Sequence, residues 1–277
     1  MELERDDRTC GWQYVGFHYY KWPLHFTHSQ WSFPDSWPYF VYRLLLALYF
    51  LGWLCYNADQ TAVKGQGPYF FIYLTNWSFV LFNCYLVVGA LLSCPIWNSN
   101  LLRPRGQFLT WPLKLYWVLY NVAVQAAIGV TVLYWSLVYR LQKDKQRPSA
   151  MNLHHHLFNG LVAFIDLFII KIPHRPLHFW VPLCYGLIYS VFNAIYYVAG
   201  GEDASGHHYV YPVLDYGERP VTSVLAVVLV PCFGLPAMHM LVYSIFRLRL
   251  LVHQKLMGNR EREAWSTTLE NDMLQRF

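Results

Sequence analysis

Apolar residues along this chain are grouped in six stretches, and short segments rich in proline, glycine and charged residues separate them. Each stretch holds roughly 18 to 25 residues, the length at which an α-helix crosses the hydrocarbon core of a bilayer. The pattern therefore predicts an all-α fold: a polytopic membrane helix bundle with about six transmembrane helices. The predicted spans are Tyr39 to Tyr56, Tyr69 to Ser93, Pro112 to Tyr139, Leu153 to Ile172, Leu177 to Ala199 and Val221 to Phe246.

Prolines mark the starts of five of these spans. Proline is tolerated in the first turn of a helix because its missing N–H would have had no partner there. This placement supports the span limits independently of hydropathy. The prolines are Pro38, Pro68, Pro112, Pro176 and Pro220.

The composition agrees with a membrane protein. Hydrophobic residues make up 56% of the chain and charged residues only 13%, whereas about a quarter of an ordinary soluble domain is charged. The net charge of +5 is interpreted as a signal of membrane orientation, and nucleic acid is not a predicted partner.

Lysine and arginine are distributed unequally between the two sides of the predicted bundle. The segments that share a side with the amino terminus carry 14, and the opposite segments carry 6. Basic residues favour the cytosolic side, so both termini are predicted in the cytosol of a plasma-membrane or endomembrane protein. The cluster from Arg140 to Arg147 argues for the reverse. The predicted organisation is a cytosolic, aromatic-rich segment 1–38, a transmembrane domain 39–246 and a basic cytosolic tail 247–277.

Thr75 and His156 are the predicted catalytic residues. Both lie in predicted spans, where lipid cannot solvate a hydroxyl or an imidazole, so polar groups there are functional candidates. Counting 1.5 Å per residue places both about 5 to 10 Å below the outer face, where they could meet. A hydroxyl nucleophile beside an imidazole base is the smallest pair that can split an ester.

A polar cluster is predicted around this pair. His156, Asn159 and Asp166 recur along one face of the fourth span, with Asn152 one turn above. Asp166 is interpreted as a structural anchor that pairs with Asn121 or Gln125. The rest of the predicted cluster is Asn76, His155 and Asn193.

Each of these residues also has a purely structural interpretation. A threonine in a membrane helix commonly bonds to a carbonyl of its own preceding turn. A histidine in a membrane helix can likewise be a packing residue without any chemical role. Metal is not predicted, because the three consecutive histidines from His154 point about 100° apart on a helix. No other cofactor is predicted either.

Four segments resemble those of the rolling stone family. The resemblance runs over nearly all six spans, and it implies a role in myoblast or cell fusion at the membrane. The segments are Tyr73-Leu-Thr-Asn-Trp77, Asn152-Leu-His-His-His156, Pro173-His-Arg-Pro-Leu-His-Phe-Trp180 and Tyr209-Val-Tyr-Pro-Val-Leu-Asp-Tyr216.

A more distant resemblance links the chain to the androgen-induced and androgen-dependent membrane hydrolases of fatty acid esters. That family shares the six-span plan, with a threonine early in span two and a histidine early in span four. Thr75 matches the threonine, and His156 matches the histidine through its spacing of four from Asn152. The resemblance implies a lipid-ester hydrolase with a threonine nucleophile and a histidine base.

Two hypotheses therefore remain open. In the first, the protein hydrolyses a lipid ester with Thr75 and His156, and its partners are membrane lipids. In the second, the polar cluster only holds the bundle together, and the protein organises membranes or promotes fusion without catalysis. The outer loop from Gly200 to Pro220 is then the predicted surface for protein partners.

Overall fold

The computed structural model describes residues 15–17, 22–31, 37–96, 109–139 and 148–256. These residues form six long helices, and the predicted all-α bundle is confirmed. All of the helices except α4 are long and apolar enough to cross a membrane, which makes five candidate spans among the described residues. The helices are α1 (Trp37–Val63), α2 (Leu74–Ser93), α3 (Trp111–Val138), α4 (150–169), α5 (Pro176–Val198) and α6 (Pro220–Leu256).

Two helices extend well beyond the predicted spans. α1 continues past Tyr56 to Val63, and α6 continues past Phe246 to Leu256. Hydropathy detects the part of a helix that lies in lipid, and a helix need not end where the lipid ends. The extension of α6 carries Arg247 and Arg249, so the first part of the predicted basic tail is helical.

Three of the helices contain a π-helical turn, at Tyr134–Val138, His154–Phe158 and Val230–Gly234. A π-turn inserts an extra residue, and it changes the direction in which the preceding side chains point. In α4 this turn separates two α-helical pieces, Ala150–Leu153 and Asn159–Ile169.

Helix α2 lies at the centre of the bundle, packed between α1 and α3. Its aromatic residues interlock with those of both neighbours, as in the contacts of Phe82 with Phe50 at 5.2 Å and Tyr85 with Tyr116 at 5.4 Å. The outer faces carry exposed apolar side chains such as Leu45 of α1. This distribution is expected of a bundle that is surrounded by lipid.

Helices α3 and α4 cross closely at Gly160. A Cβ atom built there would lie 2.8 Å from Thr131 Cβ and 3.1 Å from the carbonyl oxygen of Ala127. Small residues that allow such close approach are typical of helix pairs in membranes.

Part of the predicted amino-terminal segment packs onto the end of the bundle. The ring of Phe26 meets that of Trp117 at 5.3 Å, and the Ser29 hydroxyl donates to the Ile169 carbonyl at 2.9 Å. The Arg249 guanidinium donates to the carbonyls of Leu167 and Ile172. The segments 1–14 and 257–277 and the cluster from Arg140 to Arg147 lie outside the described residues.

Candidate functional site

Thr75 lies in the first turn of α2 and is buried. The 3₁₀ turn before it, Gly67–Ile72, is held by one side chain of α2 and one of α5. Asn76 Nδ2 donates to the Phe70 carbonyl at 2.7 Å, and the Tyr189 hydroxyl donates to the Ile72 carbonyl at 2.9 Å. These bonds fix the start of the helix and therefore the position of Thr75.

Thr75 lines a cavity of about 150 Å³ between α2, α3, α5, α6 and the loop before α6. A cavity of roughly this volume holds a six-carbon ring. Leu137, which also lines it, is exposed on the outer surface of the bundle, so the cavity lies close to lipid. Most of the lining is aliphatic, and the hydroxyl-bearing residues are Thr75, Ser78, Tyr134, Tyr185, Tyr189, Ser190 and Tyr211.

The hydroxyl groups near Thr75 bond to one another and to the backbone. Ser78 Oγ lies 2.9 Å from the Tyr185 hydroxyl and also donates to the Leu74 carbonyl. Tyr211 lines the same cavity as Thr75, and its ring lies 5.9 Å from that of Tyr73. Burial raises the pKa of the Tyr211 hydroxyl, and its polar neighbour Thr75 partly opposes the rise.

The three histidines of α4 point to three different helices. His154 stacks on Trp53 of α1 with ring centroids 3.5 Å apart. His155 stacks on Phe79 of α2 at 4.2 Å, and His156 stacks on Tyr134 of α3 at 3.6 Å. The three consecutive histidines therefore connect α4 to three neighbouring helices.

Counting along a regular α-helix predicted that His156, Asn159 and Asp166 share one inward face. Asn159 and Asp166 are fully buried as predicted, but His156 is only half-buried and the neighbouring His155 is buried. The π-turn at His154–Phe158 inserts the extra residue that breaks the count. His155, and not His156, consequently faces the helix that carries Thr75.

Thr75 and His156 are not hydrogen-bonded to each other among the described residues. His156 Nδ1 is buried and has no hydrogen-bond partner there. Thr75 lines the cavity, as does Tyr134, whose ring covers His156. The catalytic pairing of Thr75 with His156 stays a prediction.

The remaining polar residues of the predicted cluster are spread over the bundle. Asn152 Nδ2 donates to the Tyr134 hydroxyl at 2.7 Å and so supports the ring that stacks on His156. Asn159 is buried, with no partner for its amide among the described residues. Asn193 accepts a hydrogen bond from Tyr216 of the outer loop and holds that loop to α5.

Asp166 forms an ion pair with Arg43 that is buried at the centre of α1 to α4. Arg43 Nη1 lies 2.9 Å from Asp166 Oδ2, and both side chains are fully buried. The hydroxyls of Tyr42 and Tyr85 donate to the same carboxylate at 2.8 and 2.7 Å. Arg43 Nη2 donates to the Tyr116 hydroxyl at 2.8 Å. We refer to these five residues as the Arg43 network.

The predicted pairing of Asp166 with Asn121 or Gln125 is therefore wrong. Gln125 Nε2 lies 2.8 Å from His239 Nδ1, and Asn121 donates to the Trp117 carbonyl. An ionised carboxylate in a membrane bundle gains more from a cation than from an amide.

Arg43 is the structural residue that the sequence interpretation missed. It is the basic residue of the first predicted span, and Asp166 is the acidic residue of the fourth. The first span begins, and the fourth ends, on the same predicted side. Because these opposite charges lie at a similar depth in their spans, the pairing of Arg43 with Asp166 could have been predicted from the sequence.

The comparisons with known proteins agree with the fold. A sequence model of the family described as "Protein rolling stone" matches residues 7–266. The protein rolling stone of Drosophila melanogaster is 29% identical over 252 residues, which cover 86% of this chain and 88% of that protein. No solved structure matches the chain.

Proposed function

Because this chain belongs to the rolling stone family of membrane proteins, we propose that it acts within the bilayer, binding a lipid ester in the Thr75 cavity and hydrolysing it. One observation carries the proposal. Thr75 and other hydroxyl-bearing side chains line a largely apolar cavity, to which the surface-exposed Leu137 also contributes. The apolar lining suits a short stretch of an acyl chain next to its ester, and the rest of the chain would lie in the lipid beside the exposed Leu137.

The reaction takes place in two steps. The Thr75 hydroxyl oxygen attacks the ester carbonyl carbon, and its proton passes to the imidazole of His156. The bond to the alcohol oxygen breaks, and the alcohol leaves with that proton. Water then attacks the acyl-threonine, releases the fatty acid and restores the Thr75 hydroxyl.

The position of His156 sets a condition on this mechanism. Its ring is stacked on Tyr134, so proton transfer from Thr75 requires the Tyr134 ring to move. The bond from Asn152 to the Tyr134 hydroxyl breaks or shifts in the same movement. Catalytic hydrogen bonds often form only when the substrate is bound.

Substitution of Thr75 by alanine is expected to abolish lipid-ester hydrolysis. The loss should be about 10³-fold or more, and His156→Ala and the double variant should lose as much because one step needs both groups. Thr75→Ser should retain activity. The measurement is release of fatty acid from a panel of lipid esters by the purified protein, with labelling of Thr75 by a lipid-like fluorophosphonate.

Thr131→Ala is the matched control. Thr131 is a helical threonine that bonds to the Ala127 carbonyl and lies outside the cavity lining, so its loss should leave hydrolysis near the wild-type rate. Equal labelling or turnover of wild type and Thr75→Ala would contradict the proposal.

A second candidate function is lipid binding without catalysis, which serves membrane organisation or cell fusion. It is favoured by the absence of a bond between Thr75 and His156 in the described part of the chain. On this hypothesis the outer loop, with acidic residues such as Glu202 and Asp203, binds protein partners. Thr75→Ala would then retain both lipid binding and activity in a cell-fusion assay.

Both termini are proposed to face the cytosol, with the loop from Gly200 to Pro220 on the other side. The proposal rests on the unequal distribution of basic residues. An epitope tag after Phe277 should be accessible to antibody once digitonin opens the plasma membrane. A tag inserted at Gly206, in the outer loop, should stay protected if the protein lies in an internal membrane and should be accessible in intact cells if it lies in the plasma membrane. Antibody access to the carboxyl-terminal tag in intact cells would reverse the orientation.

A further inference from the structure

Helices α3 and α6 are joined by a pair of buried side chains at one level of the bundle. Gln125 Nε2 of α3 lies 2.8 Å from His239 Nδ1 of α6, and both side chains are fully buried. This contact lies just past Ala126 and Leu235, the last residues that the two helices contribute to one end of the Thr75 cavity. The two helices are therefore in contact at that end.

One turn further along α3, at Gly129, the two helices are apart. Gly129 follows Gln125 by four residues and lies on nearly the same face of α3. A Cβ atom built at Gly129 would meet no atom of another described element within 4 Å. At Gly186, the other glycine of the cavity lining, a Cβ atom would lie 3.0 Å from Pro231 Cβ of α6. The close packing of α6 on α5 at Gly186 thus has no counterpart on α3 at Gly129.

The π-turn of α6 gives a physical reason for this gap. The turn spans Val230–Gly234 and contains Pro231. Prolines and π-turns are the usual places at which a helix bends. The turn separates the piece of α6 that holds His239 from the first piece, Pro220–Leu229. The first piece can therefore diverge from α3 although the second is bonded to it.

Gly129 lies at the edge between the cavity and the outer surface of the bundle. Successive residues of a helix point about 100° apart, so Ala126 and Val132 lie about 60° to either side of Gly129. Ala126 is buried in the cavity lining, and Val132 is exposed on the surface. Leu137, two turns further along α3, also lines the cavity and is exposed. The open side of the cavity therefore extends from Gly129 towards the outer end of α3.

We propose that the gap at Gly129 is a lateral entrance, through which the acyl chain of a membrane lipid reaches the Thr75 cavity. The cavity of about 150 Å³ has room for roughly six carbon atoms, so a longer chain has to leave it, and the gap gives that chain a path into lipid. Glycine keeps the path open, because any side chain at this position would occupy it. The inference rests on the proposed function, since it assigns a route to the lipid that the cavity is proposed to bind.

Gly129→Leu tests the lateral entrance, because four added carbon atoms would fill the gap without displacing a neighbour. Gly52→Leu is the matched control. Gly52 lies in α1, a Cβ atom there also meets nothing within 4 Å, and the residue is exposed and outside the cavity lining. Both substitutions replace a helical glycine by leucine, so they change helix propensity alike. Neither should lower the thermal stability of the full-length protein in detergent.

Photocrosslinking with two methyl ketones measures access to the cavity. A ketone offers a carbonyl oxygen and resists hydrolysis, and each carries a diazirine at carbon 5. One ketone has six carbons and fits within the cavity, whereas the other has sixteen and must extend into lipid. Gly129→Leu should lower labelling of cavity residues by the long ketone about tenfold, the ratio expected when two methylene groups are kept out of an apolar site. Labelling by the short ketone should change by less than about twofold, which is below the value of one methylene group. Gly52→Leu should label as the wild type does.

Three results would overturn the lateral entrance. Equal loss of both ketones in Gly129→Leu would place Gly129 in the cavity wall, and unchanged labelling by the long ketone would place the gap off the path. A lower stability of Gly129→Leu than of Gly52→Leu, or the same loss of labelling in both variants, would show that the gap is not open or not specific. In each case, wild-type labelling of cavity residues leaves the proposed lipid binding intact. If neither ketone labels cavity residues in the wild type, both the lipid-binding function and the lateral entrance fail.

Discussion

Replacement of Arg43 by methionine is expected to destabilise the bundle by about 3 to 5 kcal/mol, the cost of leaving one charge of a buried pair without its partner. Asp166 would then lie fully buried with only the hydroxyls of Tyr42 and Tyr85 as donors. Asp166→Leu should have a similar effect, because it leaves the Arg43 guanidinium without its carboxylate. The stability of both variants is measured by heating the purified protein in detergent and quantifying the folded fraction that remains by size-exclusion chromatography.

The double variant Arg43→Met with Asp166→Leu separates loss of the pair from loss of one partner. Since replacing both ions by apolar groups is often close to neutral, it should be more stable than either single variant. His207→Gln is the control, because it removes the exposed pair with Asp203 and should change stability by less than about 1 kcal/mol. If the loss of stability in the double variant equals the sum of the losses in the two single variants, the two residues act independently.

Gly89→Val is expected to be as damaging as loss of the ion pair, because Gly89 makes room for the Arg43 network. A Cβ atom at this position would overlap Arg43 Nη2 and lie 2.5 Å from the Tyr116 hydroxyl. The larger valine side chain displaces the guanidinium from Asp166, so the cost combines overpacking with an unpaired charge. The expected result is a loss of about 3 kcal/mol or more, or failure to recover folded protein.

Gly52→Ala, compared with Gly89→Ala, is the control that tests whether the damage comes from the lack of room at Gly89. It lies in α1, and a Cβ atom there meets nothing within 4 Å, so it should be neutral or slightly stabilising. Gly89→Ala should also be tolerated better when Arg43→Met and Asp166→Leu are already present, since the guanidinium that it displaces is gone. If Gly89→Ala destabilises the wild type and the double variant equally, the added Cβ atom clashes with a group other than the Arg43 guanidinium.

The helices of this bundle could be predicted from the sequence because their signals are local. Runs of apolar residues, with prolines at their starts, placed α2, α3 and α5 within a few residues of their observed bounds. The ends of α1 and α6 were placed too early, since polar residues can continue a helix beyond the lipid. The count of six helices depends on α4, which is not among the five candidate spans of the described residues and contains a π-turn.

The candidate site was only partly accessible from the sequence. The burial of Thr75 early in α2 follows from its place in an apolar run, and the structure places it at a cavity wall. The directions of the three histidine side chains of α4 could not be predicted from the sequence. Residue counting assumes a regular α-helix, whereas the π-turn of α4 rotates the residues before Asn159. Tyr211 comes from a loop more than 130 residues away from Thr75, and no local pattern connects the two.

The sequence by itself determined that this protein is a bundle of membrane-spanning helices, because the hydrophobic effect and proline sterics act over a few turns of chain. Only the tertiary structure decided which polar groups meet. Arg43 and Asp166 are 123 residues apart, and their pairing requires four helices to converge around one carboxylate. The cavity and the spread of the three histidines likewise arise from contacts between helices, whose energies depend on packing that no single segment encodes.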